Sequence, residues 1–275
     1  MSFSGRLGIQ GIVPGATPGQ AITLQREGNL VVPPFGGPMA RFPAALNPLN
    51  YSILMDDFYR FEAAGTSVGG WDVDAIANGL SVGPIVTAYA PGPAFVGPSG
   101  LLSMAPANAS GDGACAQWDV DGCVYLTTSL DAWFETLLLL GGADTHVRVG
   151  WMADTSNPFS SAPNGAYFFY NETGSYEVDT YTKNAAGATQ NSDVATGFVS
   201  TALRLSMFWS GGDSTLKYFV NGTRVAKVTT TLPTSLALTP TIAIKNITEG
   251  TSTHVMMCDY IFSATTRTAA GVYYS

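Results

Sequence analysis

The feature that most constrains this chain is a hydrophobic period of two residues that recurs from its middle to its end. Leu203, Leu205, Met207 and Trp209 alternate with Arg204, Ser206 and Phe208, and Val147, Val149 and Trp151 alternate with His146, Arg148 and Gly150. Successive side chains of an extended strand point to opposite faces, so this alternation predicts strands with one face in a core. Tyr176, Val178 and Thr180 repeat it more weakly; Leu137 to Leu140, Ile242 with Ile244, and Val255 to Phe262 supply further strands. Leu216 to Val220, then Asn221-Gly222, then Thr223 to Val228 predicts a hairpin, because Asn-Gly accepts the positive φ angles of a type I′ turn. Tyr51 to Ala64 fits two readings. Ile53, Leu54, Phe58 and Phe61 approximate a helical period, and the same segment fits a strand entering a sandwich. Long interleaved amphipathic helices are absent, so the expectation is an all-β, antiparallel two-sheet sandwich.

The first 48 residues are built differently. Gly5, Gly8, Gly11, Gly15, Gly19, Gly28, Gly36 and Gly37, with Pro14, Pro18, Pro33, Pro34, Pro38, Pro43 and Pro48, interrupt every potential element. Between them lie Phe3, Leu7, Ile9, Ile12, Val13, Ile22 and Leu24. Such a segment cannot enclose a core, yet its apolar residues need shelter. It is expected to be an extended assembly arm whose apolar residues bind other chains. The expected division is an arm over residues 1–48, a sandwich over 49–267 and a short tail over 268–275.

Charge narrows the partners. Charged residues are only 12% of the chain, the net charge is −8 and the basic residues are scattered. Binding nucleic acid needs a basic stripe to neutralise phosphates, so no nucleic-acid partner is expected. No apolar run approaches the ~20 residues of a membrane span, and no membrane partner is expected. The N-terminus lacks the apolar core of a signal peptide, and the three cysteines, Cys115, Cys123 and Cys258, are an odd count. Both fit synthesis in a reducing host cytoplasm better than a secreted disulfide framework, with a Cys115–Cys123 bridge the less favoured alternative.

Trp133-Phe134-Glu135 with the apolar strand after it, followed by Val147 to Trp151, resembles the central strands of concanavalin-like (laminin-G/glucanase-like) jelly rolls. Leu203 to Leu205, Tyr218 to Gly222, Leu232-Pro233, Leu238 to Pro240 and Cys258 to Ile261 are similar to the closing half of that fold. Asp56-Asp57-Phe58 and Gly100 to Ser103 are similar to its start. The ordering resembles the concanavalin-like domains of tailed-phage virion proteins and covers residues 51–267. The resemblance implies a jelly roll and a place in a virion. The arm matches no family.

A fold of this kind does not define chemistry, so each candidate site needs its own residues. Glucanases of the resembled fold carry Glu-x-Asp-x-Glu on one strand, three carboxylates on one face. The nearest match, Glu177-Val178-Asp179-Thr180-Tyr181, has Tyr181 in the third place. His146 and His254 lie far apart without zinc-like spacing, and no Gly-x-Ser-x-Gly elbow occurs. Asp72, Asp74, Asp112, Asp119 and Asp121 read as turn-capping residues in loops rather than calcium ligands. The Trp71-Asp-Val-Asp74 and Trp118-Asp-Val-Asp121 echo reads as chance. Trp71, Trp118, Tyr167 and Tyr170 are the aromatic candidates for stacking on a glycan. The expectation is a protein that is not an enzyme and uses no cofactor or metal. It would be a capsid decoration or cement protein of a virion, joined through its arm to other virion proteins or to copies of itself as a homo-oligomer. The alternative is a tail-fibre, spike or head-fibre domain that binds host-surface glycans.

Overall fold

The computed structural model describes residues 51–56, 58, 67–68, 70–76, 81–84, 102–106, 109–118, 123–140, 145–171, 177–196, 202–247 and 256–266. The arm residues Phe3, Leu7, Ile9, Ile12, Val13, Ile22 and Leu24 lie outside them, as do His254, Asp119 and Asp121. The described chain is all strand and turn: β1 (Tyr51–Asp56), β2 (Ser67–Val68), β3 (Trp71–Ile76), β4 (Ser81–Pro84), β5 (Leu102–Ala105), β6 (Gly113–Trp118), β7 (Ala132–Leu140) and β8 (Thr145–Met152). There follow β9 (Gly165–Asn171), β10 (Glu177–Asn184), β11 (Gly187–Thr196), β12 (Ala202–Ser210), β13 (Thr215–Val220), β14 (Thr223–Val228), β15 (Thr239–Asn246) and β16 (Met256–Thr266).

These strands form two antiparallel sheets, as the alternation requires. The first runs β14-β13-β12-β7-β16-β5-β4, with β1 also paired to β16; the second runs β11-β10-β9-β8-β15-β6-β3-β2. The segment from Tyr51 with two readings is a strand. Its pairing with β16, from Tyr51 opposite Thr266 to Asp56 opposite Ile261, supplies hydrogen bonds that a local period cannot register.

One set of alternating residues from each sheet fills the space between them. Phe134 and Leu138 of β7, and Leu203, Leu205, Met207 and Trp209 of β12, meet Val147, Val149 and Trp151 of β8 and Ile242 and Ile244 of β15. Several of the large core aromatics satisfy their polar ends inside. The Trp151 indole donates to Ser263 Oγ at 2.9 Å, and that of Trp209 donates to the Thr127 carbonyl at 2.8 Å. The Tyr218 hydroxyl donates to the Tyr181 carbonyl at 2.8 Å and lies 2.9 Å from Thr182 Oγ1. Each of these three donors therefore avoids the penalty of lost hydration. At the entry to the sandwich, one Asp56 oxygen accepts the Phe58 amide and the other accepts the Trp71 indole, both at 2.8 Å. That carboxylate fixes Phe58 and Trp71 as neighbours in the core, with ring centroids 5.9 Å apart.

The echoed tryptophans have a structural counterpart. Trp71 lies directly opposite Trp118 across β3 and β6, edge to face at 5.5 Å. Asp72 and Asp74 accordingly sit on a strand, and their expected place in a loop is corrected; Asp112 does cap a turn, accepting the Ala109 amide at 3.3 Å. Cys115 and Cys258 are buried free thiols, and Cys123 is exposed.

The β13–β14 hairpin turns at Asn221 (φ 50°) and Gly222 (φ 80°), the type I′ pair expected from Asn-Gly. Asn221 also ties the turn to β12: its Oδ1 accepts the Arg204 amide at 3.0 Å and its amide donates to the Arg204 carbonyl at 2.8 Å. Replacing Asn221-Gly222 by Val-Val puts β-branched residues at positive φ and removes the side-chain bond. The pair should lose about 1–3 kcal/mol of stability, read as a lower urea midpoint with an unchanged slope. An unchanged midpoint would contradict this account of the turn.

Candidate functional site

The residues that do not point into the core define the sandwich's two outer faces, and the outer face of the second sheet gathers the most varied chemistry. Because Val147 and Val149 point inward, His146, Arg148 and Gly150 of β8 point out. The register aligns Gly150 with Tyr167 of β9, Tyr181 of β10 and Gln190 of β11, and Arg148 with Phe169 and Asp179. Gly150 (φ +150°) permits the close approach of β9: a Cβ there would lie 2.5 Å from the Ala166 carbonyl oxygen and 2.8 Å from the Tyr167 Cβ.

The loop from β8 to β9, residues 153–164, crosses this face as a strap with three anchors. Gln117 Oε1 accepts the Thr155 amide at 2.9 Å while Gln117 Nε2 donates to Thr241 Oγ1 at 2.8 Å. Arg148 Nη1 donates to the Pro158 carbonyl, and Lys183 Nζ donates to the Ala162 carbonyl. Phe159 of the strap packs against Ile76, Cys115 and Ala243 on the sheet.

Under the strap, Arg148 sits among three rings. Its guanidinium carbon lies 4.9 Å from the Phe169 centroid, 5.3 Å from Phe159 and 5.5 Å from Tyr167. Tyr167 stacks on Tyr181 at 5.1 Å. Arg148 Nε and the Tyr167 hydroxyl are buried without a hydrogen-bond partner. Burial lowers the Arg148 pKa and raises that of Tyr167, which disfavours charge on both groups. Beside them Gln190 Nε2 donates to Asp179 Oδ2 at 2.8 Å. Asp179 is 3% exposed and lies under its neighbours rather than on a solvated surface. At the other end of the face, Asp72 and Asp74 of β3 approach Asp154 of the strap. Burial first, then Asp72 and Asp154, raise the pKa of Asp74.

Of the four aromatic residues expected to contact glycans, Trp71 and Tyr170 fill the core. Trp118 is partly buried against it, and Tyr167 is on this outer face but 0% exposed beneath its neighbours. No open aromatic cleft is built from these four. Arg148 and Tyr181 were not singled out from the sequence as members of one site. The signal was present in their strands, where each alternates with core residues.

The outer face of the first sheet holds a second buried arrangement. A β-bulge between Cys258 and Tyr260 shifts the alternation of β16, turning Tyr260 and Phe262 outward beside Trp133. There the Tyr260 hydroxyl donates to Glu135 Oε1 at 2.8 Å, and Glu135 is 0% exposed. Burial pushes the Glu135 carboxyl up to about 8, against the lowering influence of Tyr260, Arg204 and Ser206.

No family model and no curated protein sequence matches this chain. Solved structures do share its fold. A protein of unknown function from Shewanella oneidensis MR-1 is similar over 93% of this chain and 97% of its own, at 14% identity and a TM-score of 0.53. The β-glucanase of Bacillus licheniformis is similar over 77% of this chain and 97% of its own, at 11% identity and a TM-score of 0.50. The chain is thus a concanavalin-like jelly-roll sandwich. The likeness also corrects the expectation that the protein is not an enzyme. A glucanase is built on this architecture, so the architecture gives no ground for excluding catalysis. The missing Glu-x-Asp-x-Glu removes one arrangement of carboxylates only.

Glu135 makes stability depend on pH with a definite sign. Its carboxyl titrates near 4.5 when unfolded and near 8 when folded, so folding takes up a proton between those values. The contribution is complete below about pH 4.5 and is lost as pH rises through 8. Between pH 5 and 9 the wild type should lose about 4 kcal/mol more stability than Glu135→Gln. Parallel pH-dependent melting curves for the two proteins would contradict this assignment.

Proposed function

We propose that this chain is a structural protein of a phage-type virion, a decoration or cement protein of the capsid that residues 1–48 hold to neighbouring chains. One contrast carries the reading. The sandwich encloses its own core, with Tyr125 the one strongly exposed large hydrophobic among the described residues. The first 48 residues instead spread Leu7, Ile9, Ile12, Val13 and other apolar side chains along a backbone interrupted by glycine and proline. Apolar residues that cannot form a core of their own gain most from burial on another surface. The low charge of the whole chain supports the same reading, because a subunit in a shell covers much of its surface with partners.

A second reading is favoured by the outer face of the second sheet: the sandwich engages host-surface carbohydrate there. Tyr181 and Phe169 offer partly open rings beside Arg148, the combination of apolar surface and directed polar groups that sugar recognition uses.

Deleting residues 1–48 should leave a cooperative melting transition close to that of the whole chain. Incorporation into particles, measured as copies per particle by quantitative gel analysis, should fall at least tenfold. A truncated chain that incorporates at full occupancy would overturn the assembly reading.

A further inference from the structure

We propose that Arg148 anchors a subsite for the carboxylate of an acidic sugar on the outer face of the second sheet. The inference rests on the carbohydrate reading above and gives that face its ligand class. Arg148 is a cation held off the core by strand alternation and surrounded by rings rather than by carboxylates. Among the described residues, none forms an ion pair with it, and the groups that act on its titration besides burial are Tyr167 and Tyr181. Asp179 is aligned with it in the register, but accepts from Gln190.

The bonding pattern of the guanidinium defines what it can accept. Nη1 is occupied by the Pro158 carbonyl, which fixes the plane of the group. Nε–H is buried with no acceptor. A guanidinium fixed through one terminal nitrogen leaves the side-on fork of Nε and Nη2, the geometry that takes a carboxylate through two parallel bonds. Nearby, the Tyr167 hydroxyl is also buried without a partner. Two unsatisfied donors on one arginine–tyrosine pair are expensive in an empty site, and a single anionic acceptor can satisfy both. Arg148, Phe159, Phe169 and Tyr181 are each only partly buried, and a carboxylate reaches the buried Nε–H and Tyr167 hydroxyl by displacing the rings that cover them. Rings around the cation reduce local solvation, which strengthens an incoming ionic hydrogen bond. A neutral glucan would satisfy the hydroxyl but leave the arginine without its anion.

The test is calorimetric titration of the full chain with oligogalacturonate and oligomannuronate, with their methyl esters, with a sulfated oligosaccharide and with a neutral β-glucan oligosaccharide. The inference expects at least one of the uronates to bind, with affinity falling as NaCl is raised and at least tenfold weaker for the ester. Arg148→Lys should weaken uronate binding at least tenfold. Tyr167→Phe, which removes only the hydroxyl, should weaken it about threefold to tenfold and guards against failure of the first variant to fold. Equal binding of acid and ester, or unchanged uronate binding in Tyr167→Phe and a folded Arg148→Lys, overturns the inference while the carbohydrate reading stands. Binding of the sulfated sugar alone overturns the carboxylate assignment. Binding of none of these saccharides removes both the inference and the carbohydrate reading.

Discussion

Everything in this structure depends on the requirement that two sheets bury one face each against the other. Trp71, Trp151 and Trp209 are fully buried in that layer, and each directs its indole N–H to a protein acceptor. With the inward residues committed, strand geometry leaves no choice about the others. Arg148 must point out because Val147 and Val149 point in, and the same rule places Tyr181 between Thr180 and Thr182 on the outer face. The chemistry available to the protein is therefore the complement of its core.

The two outer faces meet this constraint in different ways. On the second sheet a twelve-residue backbone excursion would normally be solvent-facing, but Gln117, Arg148 and Lys183 hold the strap to the sheet. It covers Tyr167 and Cys115 while leaving the surrounding aromatic rings partly open. On the first sheet, closure comes from an apolar group, Trp133, Tyr260 and Phe262, enclosing a single carboxyl. A protonated Glu135 can stay there because Tyr260 gives it a donor and burial disfavours its charge. On both faces buried polar atoms remain without a hydrogen-bond partner, Glu135 Oε2 on the first and Arg148 Nε and the Tyr167 hydroxyl on the second.

Much of the architecture was legible from the chain. Period-two runs located β8 and β12, Asn221-Gly222 located the β13–β14 turn, and the strand order fitted a jelly roll. The ambiguity at Tyr51 could not be resolved locally, because the decisive partner is β16, more than 200 residues away. The bulge at Cys258–Tyr260 was equally hidden, since one extra residue in a strand leaves no mark in composition. The aromatic candidates show a different lesson. Trp71 and Val73 alternate with Asp72 and Asp74, so the pattern itself assigned Trp71 to the core. Choosing by residue type passed over that signal. Arg148, between two inward valines, carried the same information in the opposite sense.

On the proposed assembly reading the sandwich encloses its own core and residues 1–48 are held by other molecules, a division that photo-crosslinking tests most directly. A photoreactive residue placed at Leu7 or Ile12 in chains assembled into intact particles should give crosslinks to neighbouring subunits, identified by mass spectrometry. Crosslinks confined to the chain's own sandwich would contradict the account.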